Sequence, residues 1–179
     1  MREKYGVIII DMQNGVFNLK QPVYQAQLLV ENIKSQLNAA RLNQITIIFT
    51  QHDNKTFLQK GSNDWEIIEE LAPGTDELFV YKSSPSVFNG TDLENLLKER
   101  KINHLIISGL ITNGCVQQAC TEALHKDYHV TLVSDAHSTF YKKAGKVIKD
   151  WNDQIEELGA TVIDTRELLD RLDNYCHFF

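Results

Sequence analysis

Three side chains suited to nucleophilic catalysis follow three separate apolar runs of this sequence. Asp11 comes directly after the first run, Lys82 after the third, and Cys115 stands in the loop behind the fourth. A thiol can attack a carbonyl carbon, a carboxylate can accept the thiol proton, and an ammonium can stabilise the thiolate. Each residue alone has an ordinary explanation, as a turn former, a solvated surface cation or a small core hydrophobe. Their joint occurrence behind three apolar runs favours a catalytic site.

The loop that contains Cys115 argues against two common classes of nucleotide site. Gly109 and Gly114 have the spacing of a P-loop, but Cys115 and Val116 stand where Lys and Ser or Thr would contact phosphates and Mg²⁺. The first apolar run continues into Asp11 rather than into the glycine-rich turn of a dinucleotide-binding fold. Neither nucleotide hydrolysis nor dinucleotide binding is therefore expected.

Cys115 and Cys120 differ in their predicted surroundings. A helix is predicted over residues 114–126, with Thr112 and Asn113 as candidate caps. Cys120 lies on the apolar stripe of this helix and is predicted to be an inert core residue. Cys115 lies outside the stripe at the helix N-terminus, where free N–H groups and the helix dipole lower a thiol pKa. This position favours Cys115 as a nucleophile.

The elements that must position these residues alternate along the chain. Runs typical of strands buried on both faces occupy residues 5–10, 45–50, 78–81, 104–108, 129–133 and 161–163. Amphipathic helical patterns occupy residues 25–42, 65–71, 92–100, 114–126, 142–158 and 166–172. Six repeats of strand then helix predict an α/β fold, in which helices cover both faces of an open parallel sheet. Ligands bind beyond the carboxyl ends of such strands, where Asp11, Lys82 and Cys115 are expected.

The composition limits the class of protein and its partners. The chain has 179 residues, 42% of them hydrophobic, and a formal net charge of -6, which predicts a single globular domain over residues 1–179. An acidic chain of this kind is not expected to bind nucleic acid or an anionic membrane, so a small molecule is the expected partner. No apolar run is long enough for a membrane span or a signal peptide, so a cytoplasmic location is expected. Three cysteines without Cys-x-x-Cys spacing indicate neither a disulfide framework nor a zinc site.

Taken together, these residues resemble the isochorismatase-like cysteine hydrolase family. The matching segments cover nearly the whole chain and are Asp11-x-Gln13, Gln51-His52, Gly61-Ser62-x-x-Trp65-Glu66-Ile67, Lys82 with Ser86-x-Phe88, Gly109-Leu110-Ile111-Thr112-x-x-Cys115-Val116 and Ser134-Asp135-Ala136. The resemblance implies a Rossmann-like three-layer αβα sandwich whose six-stranded parallel sheet has the order 3-2-1-4-5-6. Strands one and four would then be neighbours, so Asp11 and Cys115 would face one cleft.

The resemblance also implies a catalytic mechanism. Asp11, Lys82 and Cys115 would be the catalytic residues, acting as base, electrostatic partner and nucleophile. In the family a cis peptide bond precedes the position of Ile111 and turns its N–H toward that of Cys115, so these two N–H groups would form the oxyanion hole. No redox or organic cofactor is required.

A metal site is not expected. Nicotinamidases of this family carry an Asp-x-His pair and a second His further along, whereas here no histidine lies between His52 and His104. His52 is instead expected to line the substrate pocket or to stabilise a loop. The expected pocket residues are Gln13, His52, Trp65, Phe88 and Phe140. Gln13 and Asp135 are expected either to orient the catalytic groups or to act as turn formers.

The expected function is hydrolysis of a C–N bond in a small amide or ureido compound through a thioester intermediate. Relatives that cleave a vinyl ether commonly lack a cysteine at the position of Cys115, which favours amide cleavage. Two alternatives stay open: vinyl ether hydrolysis of the isochorismatase type with Asp11 as the acid, and noncatalytic binding of a small molecule. The family also implies a homo-oligomer, a dimer or a tetramer. The apolar residues 175–179 either contribute to that contact or fold back onto their own domain.

Overall fold

A parallel sheet forms the centre of the protein, whose computed structural model describes residues 3–175. Six strands run parallel in the order β3-β2-β1-β4-β5-β6. They are β1 (Tyr5–Ile10), β2 (Thr46–His52), β3 (Leu78–Lys82), β4 (His104–Leu110), β5 (His129–Ser138) and β6 (Thr161–Ile163). This order confirms the predicted sheet and makes β1 and β4 neighbours where the strand order reverses.

Helices cover both faces of the sheet. They are α1 (Asn14–Phe17), α2 (Ala26–Leu42), α3 (Leu93–Glu99), α4 (Gln117–His125), α5 (Ala144–Glu157) and α6 (Thr165–Tyr175). Helices α2 and α6 pack on one face, and α3, α4 and α5 pack on the other. The predicted αβα sandwich is therefore confirmed.

Strand β1 contributes to both hydrophobic cores, because side chains alternate across a strand. Val7 and Ile9 pack with α2 and α6, whereas Ile8 and Ile10 pack with α3, α4 and α5. All four side chains are fully buried. Each burial stabilises the fold by about 1.5–3 kcal/mol. The burial of the central strands therefore fixes the positions of the residues that follow β1 and β4.

Residues 65–71 do not form the predicted helix. The segment lacks α-helical structure, and a 3₁₀ turn at Glu69–Leu71 is its regular part. A carbonyl group that would accept a helical hydrogen bond is used elsewhere, since Trp65 O accepts from the side-chain amides of Gln13 at 2.7 Å and Gln51 at 2.9 Å. Tertiary contacts with β2 and with the residues after β1 therefore override the local periodicity.

The helix behind Cys115 begins later than predicted. Helix α4 starts at Gln117, and Thr112–Val116 form a wide turn in which Gly114 has non-helical torsion angles, with φ -150° and ψ -112°. Thr112 and Asn113 do not cap α4, because their side chains form hydrogen bonds with residues of the β5 segment instead. Cys115 therefore lies in a turn between β4 and α4 rather than in the first turn of a helix.

Gly109 lets β4 approach β1 at the carboxyl edge of the sheet. Its φ of +119° lies in the region that favours glycine, and a Cβ there would lie 2.6 Å from the Ile10 backbone nitrogen. A side chain at this position would therefore collide with backbone that cannot move aside. The close approach brings the end of β4 next to Asp11.

Two further sequence expectations concern a membrane span and the apolar C-terminal residues. Among residues 3–175, no helix is both long and apolar enough to cross a bilayer. Residues 176–179 and the side chain of Tyr175, named above as a candidate oligomer contact, lie outside the described part of the structure.

Candidate active site

A buried ion pair joins the residue that follows β1 to the last residue of β3. Lys82 Nζ lies 2.6 Å from Asp11 Oδ2, and the two residues are 3% and 4% exposed. Strand β2 lies between β1 and β3 and supplies Thr50, whose hydroxyl donates a hydrogen bond of 2.6 Å to Asp11 Oδ1. Both carboxylate oxygens are therefore held in place.

The backbone of Asp11 leaves β1 in an uncommon conformation. Its φ is 46°, in the left-handed region that Asp adopts more readily than most residues. The Asp11 N–H lies 3.2 Å from both the carbonyl oxygen and the hydroxyl of Thr50. Residues held in such conformations cluster at functional sites.

The Lys82 ammonium also contacts Cys115. Lys82 Nζ lies 3.2 Å from Cys115 Sγ, 3.3 Å from Ser84 O and 3.4 Å from His52 Nδ1. Cys115 is partly exposed, whereas Cys120, on α4, is fully buried in the core. The structure therefore brings the three predicted catalytic side chains together around one nitrogen atom.

The thiol of Cys115 is protonated in the resting protein. Burial raises the pKa of Cys115 to about 12, and the neighbouring Asp11 carboxylate adds to the rise while Lys82 opposes it. The predicted lowering of this pKa is therefore wrong. Cys115 precedes α4, so desolvation beside a carboxylate outweighs any effect of the helix N-terminus. Attack by this thiol needs a base that removes its proton during the reaction.

The charges of Lys82 and His52 follow from the same cluster. Burial is the largest single effect and lowers the pKa of Lys82, but Asp11 and Cys115 together raise it more, so the resulting pKa lies above the usual value. Burial and the Lys82 charge lower the pKa of His52, so its imidazole is neutral at neutral pH. A neutral Nδ1 can accept a hydrogen bond from the Lys82 ammonium.

Asp11, His52 and Cys115 have donor atoms of the kind that bind transition metals. One ligand atom of each lies within 4.8 Å of the other two. Lys82 Nζ, however, contacts all three residues, and its positive charge repels a second cation placed among them. The cluster therefore fits its own ammonium better than a metal ion.

The turn that contains Cys115 offers backbone donors. The peptide bond between Leu110 and Ile111 is cis. Within residues 3–175 the Ile111 N–H donates no hydrogen bond, and the Cys115 N–H donates none outside its own turn. The Ile111 carbonyl oxygen accepts hydrogen bonds from the N–H groups of Gly114 at 3.0 Å and Val116 at 3.3 Å. These two hydrogen bonds hold the turn together and leave the Ile111 N–H free to donate to a ligand.

Gln13 and Trp65, two of the predicted pocket residues, lie beside the cluster and make contacts within the protein. Gln13 is fully buried, its Nε2 donates to the carbonyl oxygens of His52 and Trp65, and its Oε1 accepts from the His52 N–H. Trp65 is buried and packs on Tyr81, with ring centroids 5.3 Å apart. Gln13 therefore positions the end of β2 and has no free amide group for a ligand.

The other expected residues lie in different surroundings. Phe88 belongs to the core beneath α3 and α4 and stacks on Tyr128 at 6.1 Å, whereas Phe140 is half-buried behind β5. Their roles as pocket walls stay predictions. The Asp135 carboxylate accepts hydrogen bonds from the N–H and the hydroxyl of Thr165 at the start of α6, so it holds α6 rather than the predicted catalytic groups.

Sequence reasoning missed two contacts of the cluster. Thr50 holds the Asp11 carboxylate, and the Ser84 carbonyl oxygen accepts a hydrogen bond from Lys82. The polar Thr50, which directly follows the apolar residues 47–49, was the available signal for the first contact. The second contact uses a backbone atom, which residue type does not reveal.

Comparisons with known proteins cover the elements that carry this cluster. The family model of the isochorismatase domain matches residues 5–167. The chain is 28% identical to nicotinamidase 3 of Arabidopsis thaliana, over 75% of this chain and 73% of that protein. It is 28% identical to the ureidoacrylate amidohydrolase of Stutzerimonas stutzeri, over 73% of this chain and 68% of that protein. The crystal structure of a cysteine hydrolase from Pseudomonas syringae pv. phaseolicola has a TM-score of 0.89 and 26% identity, over 96% of this chain and 93% of that chain.

Proposed function

Because the chain belongs to the isochorismatase family of hydrolases, we propose that it cleaves the C–N bond of a small amide or ureido substrate through a thioester on Cys115. The observation that carries the proposal is the contact of Lys82 Nζ with both Asp11 Oδ2 and Cys115 Sγ. Two relatives support the type of bond, since one is named a nicotinamidase and the other a ureidoacrylate amidohydrolase.

The first half of the reaction forms the thioester. Asp11 accepts the thiol proton as Cys115 Sγ attacks the substrate carbonyl carbon, and Lys82 stabilises the negative charge that moves between them. The N–H groups of Ile111 and Cys115 donate hydrogen bonds to the oxyanion, a role whose loss costs about 100- to 1000-fold in rate in other enzymes. Asp11 then gives its proton to the leaving nitrogen, and ammonia or an amine departs.

The second half restores the thiol. Asp11, again a carboxylate, accepts a proton from a water molecule that attacks the thioester carbonyl. The same two N–H groups stabilise the second oxyanion, and the proton returns from Asp11 to Cys115 Sγ as the C–S bond breaks. Ammonia or the amine is released before the carboxylic acid, and the overall reaction is a hydrolysis in which no atom changes its oxidation state.

A panel of primary amides and ureido compounds, assayed for release of ammonia, tests this function. The wild-type protein is expected to turn over at least one compound, and Cys115→Ala is expected to lose that activity. Cys120→Ala is the matched control, because Cys120 is fully buried in the core, and burial is the only influence on the pKa of its thiol. Intact mass spectrometry after rapid acid quench is expected to detect an acyl adduct, with peptide mapping to Cys115.

Two results would contradict the proposal and separate the alternatives. If Cys115→Ala keeps full activity on a vinyl ether substrate, Cys115 is a spectator and Asp11 acts as an acid in ether hydrolysis. If the panel yields no turnover and iodoacetamide shows no preference for Cys115 over Cys120, the protein is a noncatalytic binding module.

A further inference from the structure

A chain of polar side chains connects α5 with the turn that carries Cys115. The Thr112 hydroxyl oxygen lies 2.9 Å from His137 Nδ1, and His137 Nε2 lies 2.8 Å from Asn152 Oδ1. Thr112 is fully buried and His137 is 2% exposed. The mechanism proposed above uses none of these side chains. His137 is nevertheless buried with a hydrogen-bond partner at each ring nitrogen, and burying such a polar ring suggests a specific role.

The direction of each hydrogen bond follows from Asn152. Its Nδ2 donates to Ser134 O at 3.3 Å, so its Oδ1 is the atom that faces His137. His137 Nε2 must therefore carry a proton and donate it. Burial lowers the pKa of His137 to about 4, so the ring is neutral and has one N–H. Nδ1 is then an acceptor, and the Thr112 hydroxyl donates to it.

Other contacts join the same turn to β5. Leu110 pairs in register with Ser138, and the Thr139 hydroxyl donates to Asn113 Oδ1 at 3.0 Å. Residues on both sides of Ile111 are thus anchored on β5. Lys82, on β3, contacts Cys115 Sγ independently of these anchors.

We propose that His137 is a positioning residue, which through Thr112 fixes the backbone of the turn so that the N–H groups of Ile111 and Cys115 face the reacting carbonyl oxygen. This inference rests on the proposed function, because it concerns the donors to the oxyanion. Loss of the Thr112–His137 hydrogen bond lets the turn shift and misaligns the donors. The thiol itself stays beside Lys82 and Asp11, so its intrinsic reactivity is preserved.

Two probes of Cys115 separate these effects. Acylation by p-nitrophenyl acetate passes through an oxyanion, with p-nitrophenolate as the leaving group, whereas alkylation by iodoacetamide displaces iodide and forms no oxyanion. In Thr112→Val we expect acylation of Cys115 to slow at least tenfold and alkylation to change less than threefold. Thr112→Ser keeps the hydroxyl and is expected to restore acylation. Thr121→Val is the matched control, since the Thr121 hydroxyl bonds to Gln117 O on α4.

A double-variant cycle tests that His137 acts through Thr112. His137→Leu is expected to reproduce the selective loss of acylation, and Thr112→Val with His137→Leu together are expected to be no slower than the slower single variant. The double variant buries two apolar groups opposite each other, so it keeps the test open if His137→Leu alone folds poorly.

The outcomes distinguish this inference from the function on which it rests. If wild-type Cys115 is alkylated but never acylated, the proposed function fails and the inference fails with it. If the wild type is acylated and Thr112→Val is acylated at the same rate, the hydrogen bond is structural and the positioning role alone is overturned. Equal losses of acylation and alkylation also overturn it, because they indicate general disorder of the site.

Discussion

Neutralising either member of the buried ion pair is expected to destabilise the whole fold. Asp11→Asn removes the carboxylate charge with little change of shape, and Lys82→Met removes the ammonium while keeping an unbranched side chain. In Asp11→Asn, Lys82 is left in its buried position without the carboxylate that holds its pKa above the usual value. Each single variant therefore leaves an unpaired polar group in a site that is almost closed to water.

The size of the effect follows from the separation of the charges. At 2.6 Å and an effective dielectric constant of about 20, the attraction is about 6 kcal/mol. Desolvation offsets much of this attraction in the wild type, but removing one partner of a buried pair typically costs about 3–5 kcal/mol. The double variant Asp11→Asn with Lys82→Met has no charge to leave unpaired. Its loss is expected to be smaller than the sum of the single losses by about 2–3 kcal/mol.

Urea unfolding followed by tryptophan fluorescence measures these free energies. Arg171→Met serves as the control, because the side chains of Arg171 and Glu167 are 52% and 53% exposed in their ion pair, and such a pair contributes at most about 1 kcal/mol. Additive losses in the double variant would refute the reasoning, since they would mean that the two charges do not interact. A loss in Lys82→Met no larger than in Arg171→Met would refute it as well.

Three further predictions use other features of the molecule. Gly109→Ala is expected to lower the free energy of unfolding by at least about 4 kcal/mol, because the added Cβ would collide with the Ile10 backbone. Gly159→Ala is the control, since a Cβ there meets open space and the expected cost is about 1–2 kcal/mol for the positive φ alone. Urea unfolding measures both losses. In Asp11→Asn the pKa of Cys115 is expected to fall below its wild-type value of about 12, since the Asp11 charge helps to raise it; the pH dependence of iodoacetamide alkylation checks this. The unfolded chain protonates His137 near its ordinary pKa of 6.5 and the folded chain near 4, so the unfolded chain binds the proton first and stability is lost as the pH falls between these values. The loss amounts to about 3 kcal/mol, and His137→Leu, compared with wild type in urea unfolding at several pH values, is expected to flatten this part of the curve.

The local sequence pattern predicts the layout of the sheet, and it also predicts that the proposed catalytic groups lie close together. Apolar runs such as residues 5–10 are buried on both faces, which restricts them to a parallel sheet with helices on both sides. Asp11 and Lys82 come at the carboxyl ends of their strands, so the topology alone brings them to one edge. These predictions needed the order of elements and no knowledge of side-chain contacts.

The features that sequence did not predict depend on tertiary contacts. Residues 65–71 have helical periodicity, but their carbonyl groups are taken by residues distant in sequence, such as Gln13. The pKa of Cys115 depends on burial and on the Asp11 charge, and neither is visible in the position of a cysteine before a helix. The predicted fifth strand stopped at residue 133, whereas β5 continues to Ser138 and includes the polar His137, whose partners lie on other elements.

The ion pair joins β3, at the edge of the sheet, to the end of β1 at its centre, so the proposed catalytic site is complete only when β3 is in place. Lys82 and Asp11 are 71 positions apart in the chain, and β3, which delivers the ammonium, is an outermost strand. A folding intermediate in which β3 has not yet docked on β2 would therefore have the Cys115 thiol and the Asp11 carboxylate without the Lys82 ammonium between them. In pulses of p-nitrophenyl acetate during refolding, the acylation rate of Cys115 that is characteristic of the folded protein would then appear only once β3 has docked on β2, so this rate would report that step of folding.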